Sequence, residues 1–169
     1  AYFYKLDDPE WQEAGLAYLY KWRYARYGSS VAGEVWLSGM DVNRVIFRLA
    51  DMYLFRAECR VKMDDRTGAE ADLNVIRQRA GAEMWPAKND SGDLKYDIFR
   101  EREKELLYEG HRYYDVVRNG YWKTELQGNF SELSVDDVKD GALYMPVPQT
   151  AFSQNDLMIQ NAFWASKMK

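Results

Sequence analysis

Residues 99–120, FREREKELLYEGHRYYDVVRNG, place charges where a helix would ordinarily be apolar. At about 3.6 residues per turn, Leu94, Ile98, Arg102, Glu105 and Glu109 fall within roughly a quarter of a helix circumference. Leu94 and Ile98 mark that stripe as core-facing, so Arg102, Glu105 and Glu109 carry charge toward the interior. A buried charge is costly unless it is paired and hydrogen-bonded. Partners follow at once in Arg112, Asp115 and Arg118, and the spacing predicts one buried network. Loss of Glu105 or Arg112 is then expected to cost about 3 kcal/mol or more, because each strands a partner. Such a network is either a fold signature or an active site.

The active-site reading rests on Glu101, Glu105 and Glu109. One turn apart on a helix, they set carboxyl groups at the separations used in glycoside hydrolysis. The neighbouring Arg and Lys residues oppose it: they hold the carboxylates ionised, whereas a general acid needs a raised pKa. The network therefore reads as structural. Other chemistries find less support. One His and one Cys (His111 and Cys59) cannot build a zinc site, and one Cys cannot form an intrachain disulfide. Cys59 reads as a small packed residue. No cofactor is expected; a loop calcium at Asp136 and Asp137 stays open, with no motif behind it. There is no Gly-x-Ser-x-Gly elbow and no Gly-rich phosphate loop after a strand. A net charge of −4, from 23 basic and 27 acidic residues, argues against nucleic acid. No apolar run approaches the roughly 20 residues of a membrane span.

Along the chain, residues 1–41 lack a clean period and read as irregular and aromatic-rich. A short helix at about 9–20 is expected, capped by Asp8 with Pro9 in its first turn. Residues 44–63 form the first strong helix, with Ile46, Ala50, Tyr53, Leu54, Ala57 and Val61 on one face. Phe47, Met52 and Phe55 on the others predict burial on most sides. Asp51 and Glu58, two turns apart, need partners. Thr67-Gly68-Ala69-Glu70 reads as a capping box opening a helix that Gly81 stops. The short break between the two helices makes 44–80 an antiparallel hairpin. Residues 93–127 carry charged helices, the first capped by Asp93 and ending at Gly110, the second running from His111 to Arg118. Residues 143–164, with Pro146 and Pro148, read as an extended strap.

Aromatic residues make up 15% of the chain, and ten of the 26 lie in residues 1–36. Trp and Tyr fill irregular cores, but their faces also take the apolar side of a sugar ring. Trp36, between Gly33 and Gly39, is the best single candidate for ligand contact, followed by Tyr24, Tyr27 and Trp85.

Four stretches, read in order, are similar to the C-terminal portion of a SusD/RagB family protein. Arg48-Leu49-Ala50-Asp51 with Ala57-Glu58 resembles the family's R-h-A-D-h-h-L-h-x-A-E helix. Residues 73–81, LNVIRQRAG, resemble L-N-x-I-R-x-R-A-G. Residues 99–120 resemble E-R-x-x-E-L-x-x-E-G-x-R-x-x-D-h-x-R-x-G. Residues 145–161 resemble the closing h-P-h-P-x-x-E-h-x-x-N-x-x-h-x-Q-N, with Ala151 where an acidic residue is common.

The resemblance implies a mainly α fold: tetratricopeptide-like helical hairpins wrapped by irregular loops, of which 1–169 is the C-terminal part. It implies a non-catalytic lipoprotein on the outer face of a Bacteroidetes-type outer membrane, anchored through an N-terminus absent from this chain. Such a protein captures oligo- or polysaccharide and delivers it to a SusC-like TonB-dependent transporter, and its other partner is the remainder of the same polypeptide. In the family the charged segment serves the fold. The competing expectations are a helical-repeat protein-binding scaffold or a RagB-like peptide binder.

Overall fold

The computed structural model describes residues 3–4, 18–19, 25–33, 35–40, 45–153, 155 and 157–167, with side chains described for 28–33 and, Asn129 apart, from 45 onward. The chain is mainly helical and divides into two compact units, Ala1–Arg112 and Tyr113–Lys169.

The first unit opens with paired strands. β1 (Phe3–Tyr4) runs antiparallel to β2 (Tyr18–Leu19), and β3 (Ala25–Ser29) to β4 (Val35–Met40). A hairpin turn joins β3 to β4: the Gly33 amide donates to the Ser30 carbonyl at 2.9 Å. Gly28 pairs with Trp36 and Tyr27 with Leu37. The irregular reading of 1–41 is corrected to that extent. The helix expected at about 9–20 is not found at Tyr18–Leu19, which are strand; residues 9–17 lie outside the described residues.

Helix α1 spans Leu49–Lys62, five residues later in its start than the hydrophobic pattern suggests, because Arg48 is extended at φ −146°. Ala50, Leu54 and Ala57 bury one face against Ala69, Leu73 and Ile76 of α2 (Arg66–Arg79). Two alanines on α1 let the helix axes approach closely. Ile46 falls outside the helix and is exposed, and Met52 and Phe55 are also exposed, so among the described residues α1 is not buried on most sides.

The turn between them is three residues long. The Asp65 amide reaches the Arg60 carbonyl at 2.9 Å and the Asp64 amide the Val61 carbonyl at 3.2 Å, while Asp64 takes the left-handed conformation at φ 60°. This is a Schellman ending with aspartate where glycine is usual. Asp65 then caps α2, its carboxylate accepting from the Gly68 amide at 2.9 Å. The cap is therefore Asp65 and not Thr67, since the helix begins one residue before the expected box. Gly81, at φ 66°, ends α2 with the same pair of bonds.

Helix α3 (Leu94–Glu105) is capped by Asp93, whose carboxylate accepts from the Lys95 and Tyr96 amides. Leu94 and Ile98 enter the α1–α2 core with Trp85. The helix stops at Glu105 rather than Gly110: Leu106 is its C-cap and Tyr108 lies at φ 62°, which a continuing helix forbids. Glu109 is thus on a turn.

The second unit holds most of α4 (Arg112–Asn119), then α5 (Trp122–Glu125), α6 (Val135–Lys139), α7 (Gln149–Phe152) and α8 (Ala162–Lys167). Val116, Trp122, Ala142 and Leu143 are buried. The strap of 143–164 is extended only around its two prolines and helical in α7 and at its end. Its extended part is held by one side chain: Gln160 accepts from the Val147 amide at 3.1 Å and donates to the Val147 carbonyl at 3.0 Å. Trp164 donates its indole N–H to the Tyr144 carbonyl at 2.7 Å.

Candidate functional site

The charge network of the first unit is where sequence and geometry meet most closely. Arg102 and Asp51 are both almost wholly buried; Arg102 Nη2 lies 2.8 Å from Asp51 Oδ1, and Arg102 Nη1 donates to the Asp51 carbonyl at 3.3 Å. Asp51 on α1 thereby gains the partner its position demands. Glu58, also buried, takes Lys62 one turn on at 2.7 Å.

Glu105 receives Arg48 from the segment before α1 and Arg79 from the end of α2. Arg48 also grips Glu109, donating from Nε at 2.8 Å and Nη2 at 2.9 Å, and its Nη2 reaches the Glu105 carbonyl at 2.6 Å. One extended arginine thus ties the last turn of α3 to the turn that follows it. Arg77, next to Ile76 on α2, holds Glu101 at 3.1 Å and takes Asp90 in a two-pronged contact at 2.7 and 2.8 Å. The two arginines of the R-Q-R triplet therefore meet two glutamates spaced four apart on α3, Arg77 with Glu101 and Arg79 with Glu105.

The remaining predicted members lie differently. Arg112 pairs with Glu103 at 2.6 Å and its side chain is half-exposed, so the large cost expected for its loss is corrected downward. In the second unit, Asp115 is buried and Arg118 reaches it at 2.7 Å from one turn on. Arg48, Arg77, Arg79 and Asp51 carry more of the first unit's network than their places in the sequence indicate. Arg48 and the R-Q-R triplet stand inside the quoted motifs, but nothing in a sequence says which acid a distant arginine will meet.

This arrangement suits anchoring, not proton transfer. Burial pushes the Glu105 carboxyl up, but the Arg79 and Arg48 guanidiniums outweigh it and hold the group below its ordinary value. The Arg77 guanidinium likewise holds Asp90 low. A general acid needs the opposite displacement. Glu101 is paired as well, with Arg77 at 3.1 Å and Lys104 at 3.6 Å. At the loop considered for calcium, Asp136 pairs with Lys139 at 3.0 Å, and Asp137 closes a capping box with Ser134. Among the described residues, no group of three or more His, Cys, Asp or Glu is placed to hold a metal ion.

The aromatic candidates separate. Tyr24 lies outside the described residues, and Tyr27 and Trp36 are described only as backbone partners within the β3–β4 hairpin. Trp85 is corrected: it is 7% exposed, a core residue and not a platform. Its indole N–H donates to Asp97 Oδ2 at 2.9 Å, its amide to Asn74 Oδ1 at 2.7 Å, and the Arg66 guanidinium sits 5.0 Å from its ring centroid. Open rings that sequence reasoning does not single out lie in the second unit. Tyr114 and Phe130 are exposed and both meet the Tyr113 ring edge-on, and the Tyr113 hydroxyl donates to the Leu143 carbonyl beside exposed Tyr144. The adjacent pair Tyr113-Tyr114 is the signal that could have found them.

The family model described as the SusD family matches residues 11–164. Among curated proteins, the chain is similar to SusD-like protein P25 of Formosa agariphila, 41% identical over 81 residues, which are 46% of this chain and 15% of the relative. It is also similar to SusD-like protein P38 of the same organism, 32% identical over 106 residues, 58% of this chain and 21% of the relative. Among solved structures it resembles a SusD homolog from Bacteroides thetaiotaomicron, with 29% identity and a TM-score of 0.63, over 83% of this chain and 29% of that one. The chain thus spans less than a third of the length of each of these three relatives. The chain belongs to the SusD family.

Proposed function

We propose that this chain is the C-terminal portion of a non-catalytic, lipid-anchored cell-surface protein that captures oligo- or polysaccharide and delivers it to a SusC-like TonB-dependent transporter of the outer membrane. The observation that carries the reading is the match of the SusD family model across residues 11–164. The chemistry of the charged segment supports it, because Glu105, held low by Arg79 and Arg48, is not the protonated carboxyl that a glycosidase uses as its general acid. No helix among the described residues is long and apolar enough to cross a membrane. Ligand contact is assigned to Trp36, with Tyr24 and Tyr27 beside it in sequence.

Affinity electrophoresis tests the proposal. The intact protein and its Trp36→Ala variant are run in gels cast with plant, host and microbial polysaccharides. Retardation by one polysaccharide class, reduced in the variant, is the expected result. If no polysaccharide slows the intact protein and no transporter co-purifies with it, glycan capture is refuted and peptide binding becomes the better reading.

A further inference from the structure

Helix α4 ends in a Schellman turn. The Tyr121 amide donates to the Val116 carbonyl at 3.0 Å and the Gly120 amide to the Val117 carbonyl at 3.2 Å, with Gly120 left-handed at φ 77°. That conformation selects glycine at 120. The residue before it is Asn119, so the ending contains the one Asn-Gly pair among the seven asparagines of the chain. Such a pair is chemically labile, because glycine has no side chain to keep its nitrogen away from the asparagine Cγ. In the closed turn both reacting groups are held. Asn119 Nδ2 donates to the Asp115 carbonyl at 3.0 Å, and the Gly120 N–H is engaged by Val117. Asn119 is also the last residue of α4, so its helical backbone must be undone before the Gly120 nitrogen can turn onto Cγ. One observation favours opening. Asn119 Oδ1 is buried and takes no hydrogen bond among the described residues, and an unsatisfied buried acceptor costs stability that solvent restores when the turn opens.

We propose that Asn119-Gly120 is a self-modification site gated by the end of α4. When the turn opens, the Gly120 nitrogen attacks Asn119 Cγ: the N–Cγ bond forms, the Cγ–Nδ2 bond breaks, and ammonia carries away Nδ2 with the Gly120 proton. Water then opens the succinimide ring. Attack at Cγ leaves aspartate; attack at the main-chain carbonyl leaves isoaspartate, with the main chain routed through Cβ and Cγ. Neither product keeps the amide that donates to the Asp115 carbonyl. Both place a carboxylate at the negative end of the helix, one turn from buried Asp115. Isoaspartate also lengthens the main chain within the Schellman turn, so the bonds to Val116 and Val117 no longer fit. Closing is therefore opposed once the chemistry has run, and the site marks each opening in one direction.

The test uses the intact protein, incubated at neutral pH in buffer, in graded urea and in full denaturant. Peptides are mapped by mass spectrometry, with isoaspartate resolved by its chromatographic retention. In denaturant, Asn119 is expected to react ahead of the other six asparagines of this chain. In the native protein its rate is expected to be lower by about tenfold or more, and to rise in urea below the unfolding midpoint seen by circular dichroism. Protein modified in denaturant and then refolded is expected to melt at a lower temperature than unmodified protein treated alongside it. Equal rates in native and denatured protein overturn the gate, and absence of product at Asn119 in denaturant overturns the site. A rate that rises only with global unfolding overturns the local opening, and equal melting temperatures overturn the block on closing.

Discussion

Arg102→Ala is the sharpest test of the structural reading of the charged segment. Arg102 is 2% exposed and Asp51 3%, and their pairing at 2.8 Å joins α3 to α1 across the core. Truncation leaves the Asp51 carboxylate buried without its cation, which costs about 3–5 kcal/mol. For a chain of this size, at about 2–4 °C per kcal/mol, that corresponds to a fall in Tm of about 6–20 °C. Thermal unfolding followed by far-UV circular dichroism measures it. The double replacement Asp51→Leu with Arg102→Met supplies the control, because removing both charges removes the stranded partner. It is expected to be more stable than either single variant. If Arg102→Ala costs less than about 1 kcal/mol, or if the double variant loses the sum of the two singles, the pair is not a buried anchor and the argument fails.

Three further outcomes are expected. Arg112→Ala should cost no more than about 1 kcal/mol in the same melt, because its guanidinium is half-exposed where it meets Glu103. Asp64→Gly should raise Tm, by relieving about 1 kcal/mol of left-handed backbone at φ 60°. Glu105 and Asp90 have folded values below their ordinary 4.5 and 3.8, so their stabilisation is complete above those values and is lost as pH falls through the lowered ones. Acid titration should therefore show Glu105→Gln with Asp90→Asn less stable at neutral pH but with a flatter loss of stability below about pH 4.5.

The hairpin and its core were legible because Ala50, Leu54 and Ala57 against Ala69, Leu73 and Ile76 repeat the helical period without interruption. The charged stripe was legible only as far as the helix ran: Arg102 and Glu105 lie on α3, while Glu109 arrives beside them through a turn that left-handed Tyr108 makes possible. Both Asp65 and Thr67 satisfy the sequence rules for an N-cap, and the Schellman bond from Asp65 to Arg60 decides between them. Trp85 misled because composition does not reveal whether an indole N–H has a buried acceptor; here Asp97, twelve residues on, supplies it. For the glycan candidates Tyr24, Tyr27 and Trp36, the pattern of aromatics remains the argument.

The three-residue turn between α1 and α2 fixes more than a direction. Asp65 ends one helix through its amide and starts the next through its carboxylate, so the connection holds no spare residue. One inserted residue would turn α2 by about 100° about its axis and carry Ala69, Leu73 and Ile76 off the core. Length here is a fixed parameter of the hairpin.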